Sequence, residues 1–120
     1  MKLDRLKEDL DQMRAAAMEA REFVGEMTIE QFLGDRRTQM AVAMSLVLIG
    51  EAASRIVARN PDFPVEHPDI PWTKMRGMRN LAVHDYYQLE LPIVFDTVRI
   101  ALPALLQKLD ALHHWRPQGE

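Results

Sequence analysis

The sequence contains no cysteine, so disulfide bonds and thiolate metal sites are excluded. It also lacks a long apolar run: the longest, residues 40–49, spans ten positions and is interrupted by Ser45. A membrane-spanning helix needs ~20 apolar residues, and a signal peptide needs an apolar segment that the mixed charged and apolar residues 2–5 do not begin. These absences predict a cytoplasmic protein that does not associate with a membrane.

Basic charge is also scarce, because 15 Lys and Arg stand against 18 Asp and Glu, for a net charge of −3. A broad basic surface for nucleic acid is therefore excluded, since neutralisation of phosphates by Lys and Arg dominates such binding. Any nucleic-acid site must be local.

With 120 residues, 48% hydrophobic and 28% charged, the chain has the composition of one soluble domain. We expect that domain at residues 1–116, followed by a frayed tail at residues 117–120.

Strand signals are missing as well, since no segment alternates apolar and polar residues between hairpin turn dipeptides. Apolar residues instead recur at spacings of three and four, which is typical of amphipathic helices. Such stripes predict four helices, which run from Leu3 to Val24, from Asp35 to about Asn60, from Pro71 through Ala82, and from Leu91 or Pro92 to Leu112. We therefore predict an all-α, up-down four-helix bundle.

The segments that join or interrupt these helices carry their own signals. Thr28 has the side chain of an N-cap, which predicts a short extra helical turn from Thr28 to Leu33. Four prolines between residues 61 and 71 predict an extended connector before the third helix, because proline cannot donate the helical hydrogen bond. Pro103 predicts a kink in the last helix, on whose inward stripe we place Ala101. On the third helix we place Leu81 inward.

The second long helix carries two apolar stripes rather than one. Nearly opposite the stripe of Val42 and Ile49 lies a second stripe, which contains Met40, Met44, Val47 and Glu51. A four-helix monomer usually needs one apolar face per helix, so this helix is expected to be buried on both sides, either at the centre of the fold or in a self-association surface. We favour a homodimer.

Arg79, His84 and Tyr86 are the residues with the clearest chemistry. An imidazole can take a proton from a ribose 2′-hydroxyl, and a guanidinium can stabilise a pentacoordinate phosphorane, so the set suits metal-independent cleavage of RNA. On an ideal helix His84 lies ~140° from Arg79, so the helix would have to end near Val83 for the two side chains to meet. The alternative is a surface arginine and a histidine that compensates the helix dipole.

The residues around this set resemble the Arg-x4-His-x-Tyr signature of HepT-like toxins in the HEPN superfamily. The resemblance rests on residues 75–87 and extends, in the same order, to residues 35–39, 49–53 and 67–72. It implies a HEPN-like bundle that acts as a ribonuclease toxin of a type VII toxin–antitoxin system and works as a symmetric dimer without a cofactor.

The resemblance also implies roles for the three motif residues. Arg79 and His84 would be catalytic in RNA cleavage. Tyr86 would receive AMP from a cognate MntA-like nucleotidyltransferase antitoxin, which would silence the toxin. Adenylate units two residues from His84 would repel the RNA phosphates by like charge, without a conformational change.

Five further residues are candidates for supporting roles. Asn80 would orient His84 or bind phosphate, although an asparagine near a helix end more often caps or faces water. Arg76 would add positive charge for RNA, and Arg36 and Arg37 would contact phosphate or lie solvated at a helix start. Glu51 would pair with an arginine near the site, with Arg55, four residues on, as its nearest intrahelical alternative.

A competing interpretation keeps the helical dimer but removes catalysis. Arg79 and His84 would then serve recognition of a nucleotidyltransferase partner or a nucleotide. Cleavage of RNA by the purified protein separates the two interpretations. The sequence shows no Gly-rich phosphate loop and no His-Glu-x-x-His zinc motif, so neither ATP nor a metal is expected as this chain's own ligand.

Overall fold

The computed structural model describes the backbone of residues 2–112 and the side chains of residues 4–112, and this part of the chain contains helices and no β-strand. The predicted frayed tail, residues 117–120, lies outside the described residues. The elements in chain order are α1 (Lys2–Val24), α2 (Ile29–Leu33), α3 (Arg36–Arg59), α4 (Asp62–Glu66), α5 (Trp72–His84), a 3₁₀ turn (Tyr86–Gln88), α6 (Leu91–Asp96), a π-helical turn (Thr97–Ala101) and α7 (Leu102–Leu112). The all-α prediction is confirmed.

α1 and α3 are the two longest helices, and they pack along one another. The apolar stripe of α1 is buried, and the helix ends at Gly25, whose φ of 52° is a left-handed conformation that glycine adopts without strain. A buried carboxylate joins the two helices: Asp9 accepts hydrogen bonds from Arg55 Nε at 2.9 Å and from Arg59 Nη1 at 3.4 Å. Arg55, the intrahelical partner considered for Glu51, therefore pairs with Asp9 on α1 instead.

The N-caps of α2 and α3 both form as their residue types suggest. Thr28 and Gln31 make a reciprocal capping box on α2, in which each side chain accepts the other residue's backbone N–H. Asp35 caps α3 by accepting the backbone N–H of Thr38 at 3.0 Å and its hydroxyl at 2.9 Å. These bonds, with the nearby charge of Arg37, lower the pKa of Asp35. The cap therefore stabilises the fold above the ordinary carboxyl pKa and is lost as acid protonates it.

The sequence predicted an extended connector before α5, and this prediction is wrong for part of the connector. Residues Asp62–Glu66 form the short helix α4, which includes Pro64. Proline is tolerated there because the N–H groups of a first helical turn have no intrahelical partner to lose. The helix buries Phe63, whose ring meets that of Trp72 edge-on at 6.0 Å between centroids. The connector thereby fixes the start of α5.

The last helical segment is interrupted just before Pro103, as the sequence predicted, and the interruption is a π-helical turn. Pro103 has no N–H to donate and its ring crowds the carbonyl four residues earlier, so a wider turn relieves both problems. The extra residue in this turn moves Leu102 into the core and leaves Ala101 exposed. The inward placement of Ala101 was therefore wrong.

The described chain leaves the second stripe of α3 open. Met40 is 53% exposed and Met44 is 56% exposed, whereas Val47 and Glu51 are half-buried. Of the two alternatives for this stripe, a position at the centre of the fold is therefore wrong, because α1 and α5 cover only part of the circumference of α3, and a self-association surface stays a prediction. α3 is also long and apolar enough to cross a membrane by composition, but half of its most apolar window is buried inside the fold, as in the core helix of a soluble protein.

Candidate functional site

α5 carries the motif and is anchored at its start. Trp72 is buried and donates its indole N–H to the carbonyl of His67 at 3.0 Å, and Met75 is buried one turn further on. The helix ends at His84, one residue beyond Val83, close to where the sequence predicted, and Asp85 closes it by donating its backbone N–H to the carbonyl of Leu81. Leu81 is exposed rather than inward.

The ion pair of Arg79 with Glu51 is the strongest polar contact of the motif. Arg79 Nε donates to Glu51 Oε1 at 2.6 Å, and Arg79 Nη1 donates to Asn80 Oδ1 at 3.0 Å. Both partners of the ion pair are partly shielded, with side chains 27% and 39% exposed. Two of the five N–H donors of a guanidinium are thus engaged, and the others have no partner within the described residues. The Arg79 guanidinium is thus held in place and can still donate two hydrogen bonds to an oxyanion.

A glycine allows α5 to approach α3 at this point. A Cβ on Gly50 would lie 2.2 Å from Arg79 Cβ and 2.7 Å from the carbonyl oxygen of Met75, distances that no side chain tolerates. Sequence reasoning missed this role. The signal was available, because a glycine in the middle of a long helix is unfavourable unless packing requires it.

His84 and Arg79 are not brought together within one chain. Both lie on the continuous helix α5, where five residues separate their side chains by ~140° about the axis. His84 is exposed at the last turn, whereas Arg79 points to Glu51 on α3. The expectation that the helix loosens to let His84 reach Arg79 is therefore wrong for the single chain.

Tyr86 lies beyond α5 in the 3₁₀ turn and faces the start of α3. The guanidinium carbon of Arg36 lies 5.9 Å from the centre of its ring, within the range of a cation–π contact. The Tyr86 hydroxyl is buried and has no hydrogen-bond partner among the described residues. Arg36, the candidate phosphate contact, therefore lies next to Tyr86, and its contact with phosphate stays a prediction.

The two other candidate arginines, Arg37 and Arg76, are exposed and make no ion pair within residues 4–112. Arg76 lies one turn before Arg79 on α5, so it adds positive charge next to the motif. Among the described residues, no group of three or more histidine, aspartate or glutamate side chains is arranged to hold a metal ion.

The described residues thus form an all-α fold whose third long helix presents a restrained arginine and, five residues later, an exposed histidine at its end. The family model described as "Ribonuclease HepT-like" matches residues 13–112, and the chain belongs to this HepT-like family. The family resemblance of the sequence is thereby confirmed.

Individual relatives agree with this assignment. The chain is 36% identical over 106 residues to the probable ribonuclease HepT of Thermococcus cleftensis, covering 88% of this chain and 94% of the relative. It is 32% identical over 91 residues to a putative RNase of Methanocaldococcus jannaschii, covering 76% and 73%, respectively. It is 30% identical over 84 residues to a putative RNase of Caldanaerobacter subterraneus, covering 70% and 72%. No solved structure matches the chain significantly.

Proposed function

We propose that this protein is a cytoplasmic endoribonuclease toxin of a type VII toxin–antitoxin system that cleaves RNA with Arg79 and His84 and without a metal ion. The observation that carries the proposal is the Arg79 guanidinium. Glu51 and Asn80 hold it in place while some of its N–H donors stay unengaged, and Arg79 lies on the same helix as the exposed His84. Relatives of this chain carry the names probable ribonuclease and putative RNase, which supports the same substrate class.

The reaction uses only groups of the RNA and of the protein. The 2′-oxygen attacks the adjacent phosphorus while the neutral imidazole of His84 removes the 2′-hydroxyl proton, and the bond from phosphorus to the 5′-oxygen breaks as that oxygen takes up a proton from the imidazolium that has formed. Charge builds on the equatorial oxygens of the phosphorane, where the unengaged donors of Arg79 bind it. The products are a 2′,3′-cyclic phosphate and a 5′-hydroxyl.

The end groups and the metal requirement test this reaction together. Purified protein incubated with single-stranded RNA in EDTA is expected to cleave it as fast as in magnesium, because no step needs a Lewis acid. End-group analysis is expected to show a 2′,3′-cyclic phosphate and a 5′-hydroxyl. Cleavage that EDTA abolishes and magnesium restores, or products with a 5′-phosphate, would contradict the proposed chemistry.

Two chains are proposed to complete one site. Within one chain His84 and Arg79 diverge around α5, and the stripe of Met40 and Met44 stays exposed along the neighbouring helix α3. A symmetric dimer that covers this stripe would place two motif helices near one RNA strand and double the local charge of Arg76 and Arg79. It would also bury Met40 and Met44, the two most exposed methionines of the described residues.

Replacing Met44 with lysine tests the dimer. A charge buried against its own symmetry mate is strongly unfavourable, so Met44→Lys is expected to convert the dimer to a monomer and to lower RNA cleavage by more than about tenfold. Molar mass from light scattering measures the first effect. The matched control is Val65→Lys, which places the same charge at an exposed apolar residue on α4 and should leave the dimer intact. A dimer that survives Met44→Lys would place the interface elsewhere.

Tyr86 is proposed as the regulatory residue of the site. Transfer of AMP from ATP by an MntA-like nucleotidyltransferase would add bulk and negative charge two residues from His84. The structure supports access of such a partner to this end of α5, because His84, Asp85 and Tyr87 are all exposed.

A further inference from the structure

The two tyrosines of the chain are neighbours with opposite environments. Tyr87 is 83% exposed, whereas the hydroxyl oxygen of Tyr86 is buried and has no hydrogen-bond partner among the described residues. A buried hydroxyl without a partner is unfavourable and is kept only where the surrounding structure holds it. The two rings meet edge-on, with 5.7 Å between their centroids, so the side chains start from the same turn and point in different directions.

Four contacts hold Tyr86 in this position. Arg36, from the first turn of α3, lies over its ring. The turn is closed by the backbone N–H of Gln88 on the carbonyl of Asp85 and by that of Leu89 on the carbonyl of Tyr86. Leu89 is partly buried against the core and anchors the far side of the turn.

This position is incompatible with chemistry at the hydroxyl. For adenylylation, the Tyr86 oxygen attacks the α-phosphorus of ATP, the new oxygen–phosphorus bond forms, pyrophosphate leaves, and the phenolic proton passes to a base of the transferase. An oxygen that solvent does not reach cannot meet an α-phosphate, and the buried space cannot hold the nucleotide that results.

We propose that Tyr86 is a gated acceptor: its hydroxyl reacts with an electrophile only after the turn Tyr86–Gln88 opens, and Arg36 is the residue that holds the gate closed. As applied to AMP, the proposal rests on the proposed function; as applied to other reagents, it does not. It differs from the expectation that modification silences the site without a conformational change, because a modified Tyr86 could not return to its closed position.

Acetylation by N-acetylimidazole, which transfers an acetyl group to accessible tyrosine oxygens, tests the gate in the full chain. Trypsin releases both tyrosines in the peptide 80–99, which contains no lysine to be acetylated. The Tyr87→Phe and Tyr86→Phe proteins each keep one tyrosine, so the mass of this peptide measures each hydroxyl separately. Tyr86 is expected to react on the order of tenfold more slowly than Tyr87, because its reaction waits for a local opening.

The role of Arg36 is tested in the same assay. Arg36→Ala, made in the Tyr87→Phe protein, is expected to speed acetylation of Tyr86 by about two- to fivefold, the range that an exposed cation–π contact supplies. Arg37→Ala is the matched control, because it removes the same charge from the next residue of α3 and should leave the rate unchanged. Equal acetylation of Tyr86 and Tyr87, or equal effects of the two arginine variants, would overturn the gate.

Adenylylation then separates the gate from the proposed function. With a nucleotidyltransferase of the MntA type and ATP, AMP addition is expected on wild type, faster on Arg36→Ala, and absent on Tyr86→Phe. No AMP addition to any protein, with the acetylation contrast intact, overturns the proposed regulation and leaves the gate. AMP addition at equal rates to the wild-type and Arg36→Ala proteins overturns the gate and leaves the proposed regulation.

Discussion

RNA cleavage by the His84→Ala protein is expected to fall by about 10²- to 10⁴-fold, the usual contribution of a positioned general acid or base. The physical reason is that His84 is the exposed imidazole at the end of the motif helix, where it can accept the proton of a 2′-hydroxyl. The measurement is kcat on a single-stranded RNA in EDTA, with circular dichroism to show that the helices remain.

Two companion variants make this result specific. His114→Ala removes an imidazole outside the motif and should leave cleavage unchanged. Arg79→Lys keeps the charge but loses the planar fork, so it should lower kcat by about 10²- to 10³-fold, as loss of an oxyanion donor does. Full cleavage by a folded His84→Ala protein would remove His84 from the mechanism and favour the non-catalytic interpretation of the motif.

Gly50→Ala is expected to destabilise the fold by about 1–3 kcal/mol, the usual range for overpacking a tight contact. The added methyl group would meet Arg79 Cβ and the carbonyl oxygen of Met75, and a backbone oxygen cannot move aside without moving α5. The parting of α3 and α5 also stretches the ion pair of Glu51 with Arg79, so cleavage should fall together with stability. Urea unfolding followed by circular dichroism measures the first effect.

Gly77→Ala is the matched control for this prediction, and its expected sign is opposite. Gly77 lies in α5, and a Cβ there meets nothing within 4 Å. Alanine should therefore stabilise the helix by about 0.5–1 kcal/mol through its better helix propensity. If Gly50→Ala were as stable as Gly77→Ala, the close contact of α3 with α5 would not exist in solution.

The features that follow from neighbouring residues were predictable from the sequence. The capping box of Thr28 and Gln31 and the ends of α3 depend on side chains that reach backbone groups within one turn. The apolar stripes of α1 and α3 follow from helical spacing alone. The motif on α5 was found by resemblance, since an arginine and a histidine five residues apart occur by chance in many helices.

The features that depend on distant residues were not predictable. The sequence offered Glu51 two partners, an arginine near the site or its intrahelical neighbour Arg55, and could not choose between them. The first is confirmed, because the approach of α5 at Gly50 brings Arg79, 28 residues away, to Glu51. Helical spacing likewise assumes 3.6 residues per turn, so it could not foresee the π-helical turn that exposes Ala101. The burial of the Tyr86 hydroxyl depends on how the turn folds back towards Arg36.

The buried Asp9 also selects one alignment of the two longest helices. Long apolar stripes of alanine, valine and leucine can slide past each other by a heptad at little loss of packing, and such slippage yields alternative bundles. A slip of α1 would leave the Asp9 carboxylate among apolar side chains, away from Arg55 and Arg59, which is far more unfavourable than the slip itself. The ion pair therefore discriminates against misaligned bundles even where its net contribution to stability is small, and it fixes the position along α1 of the half of α3 that carries Glu51.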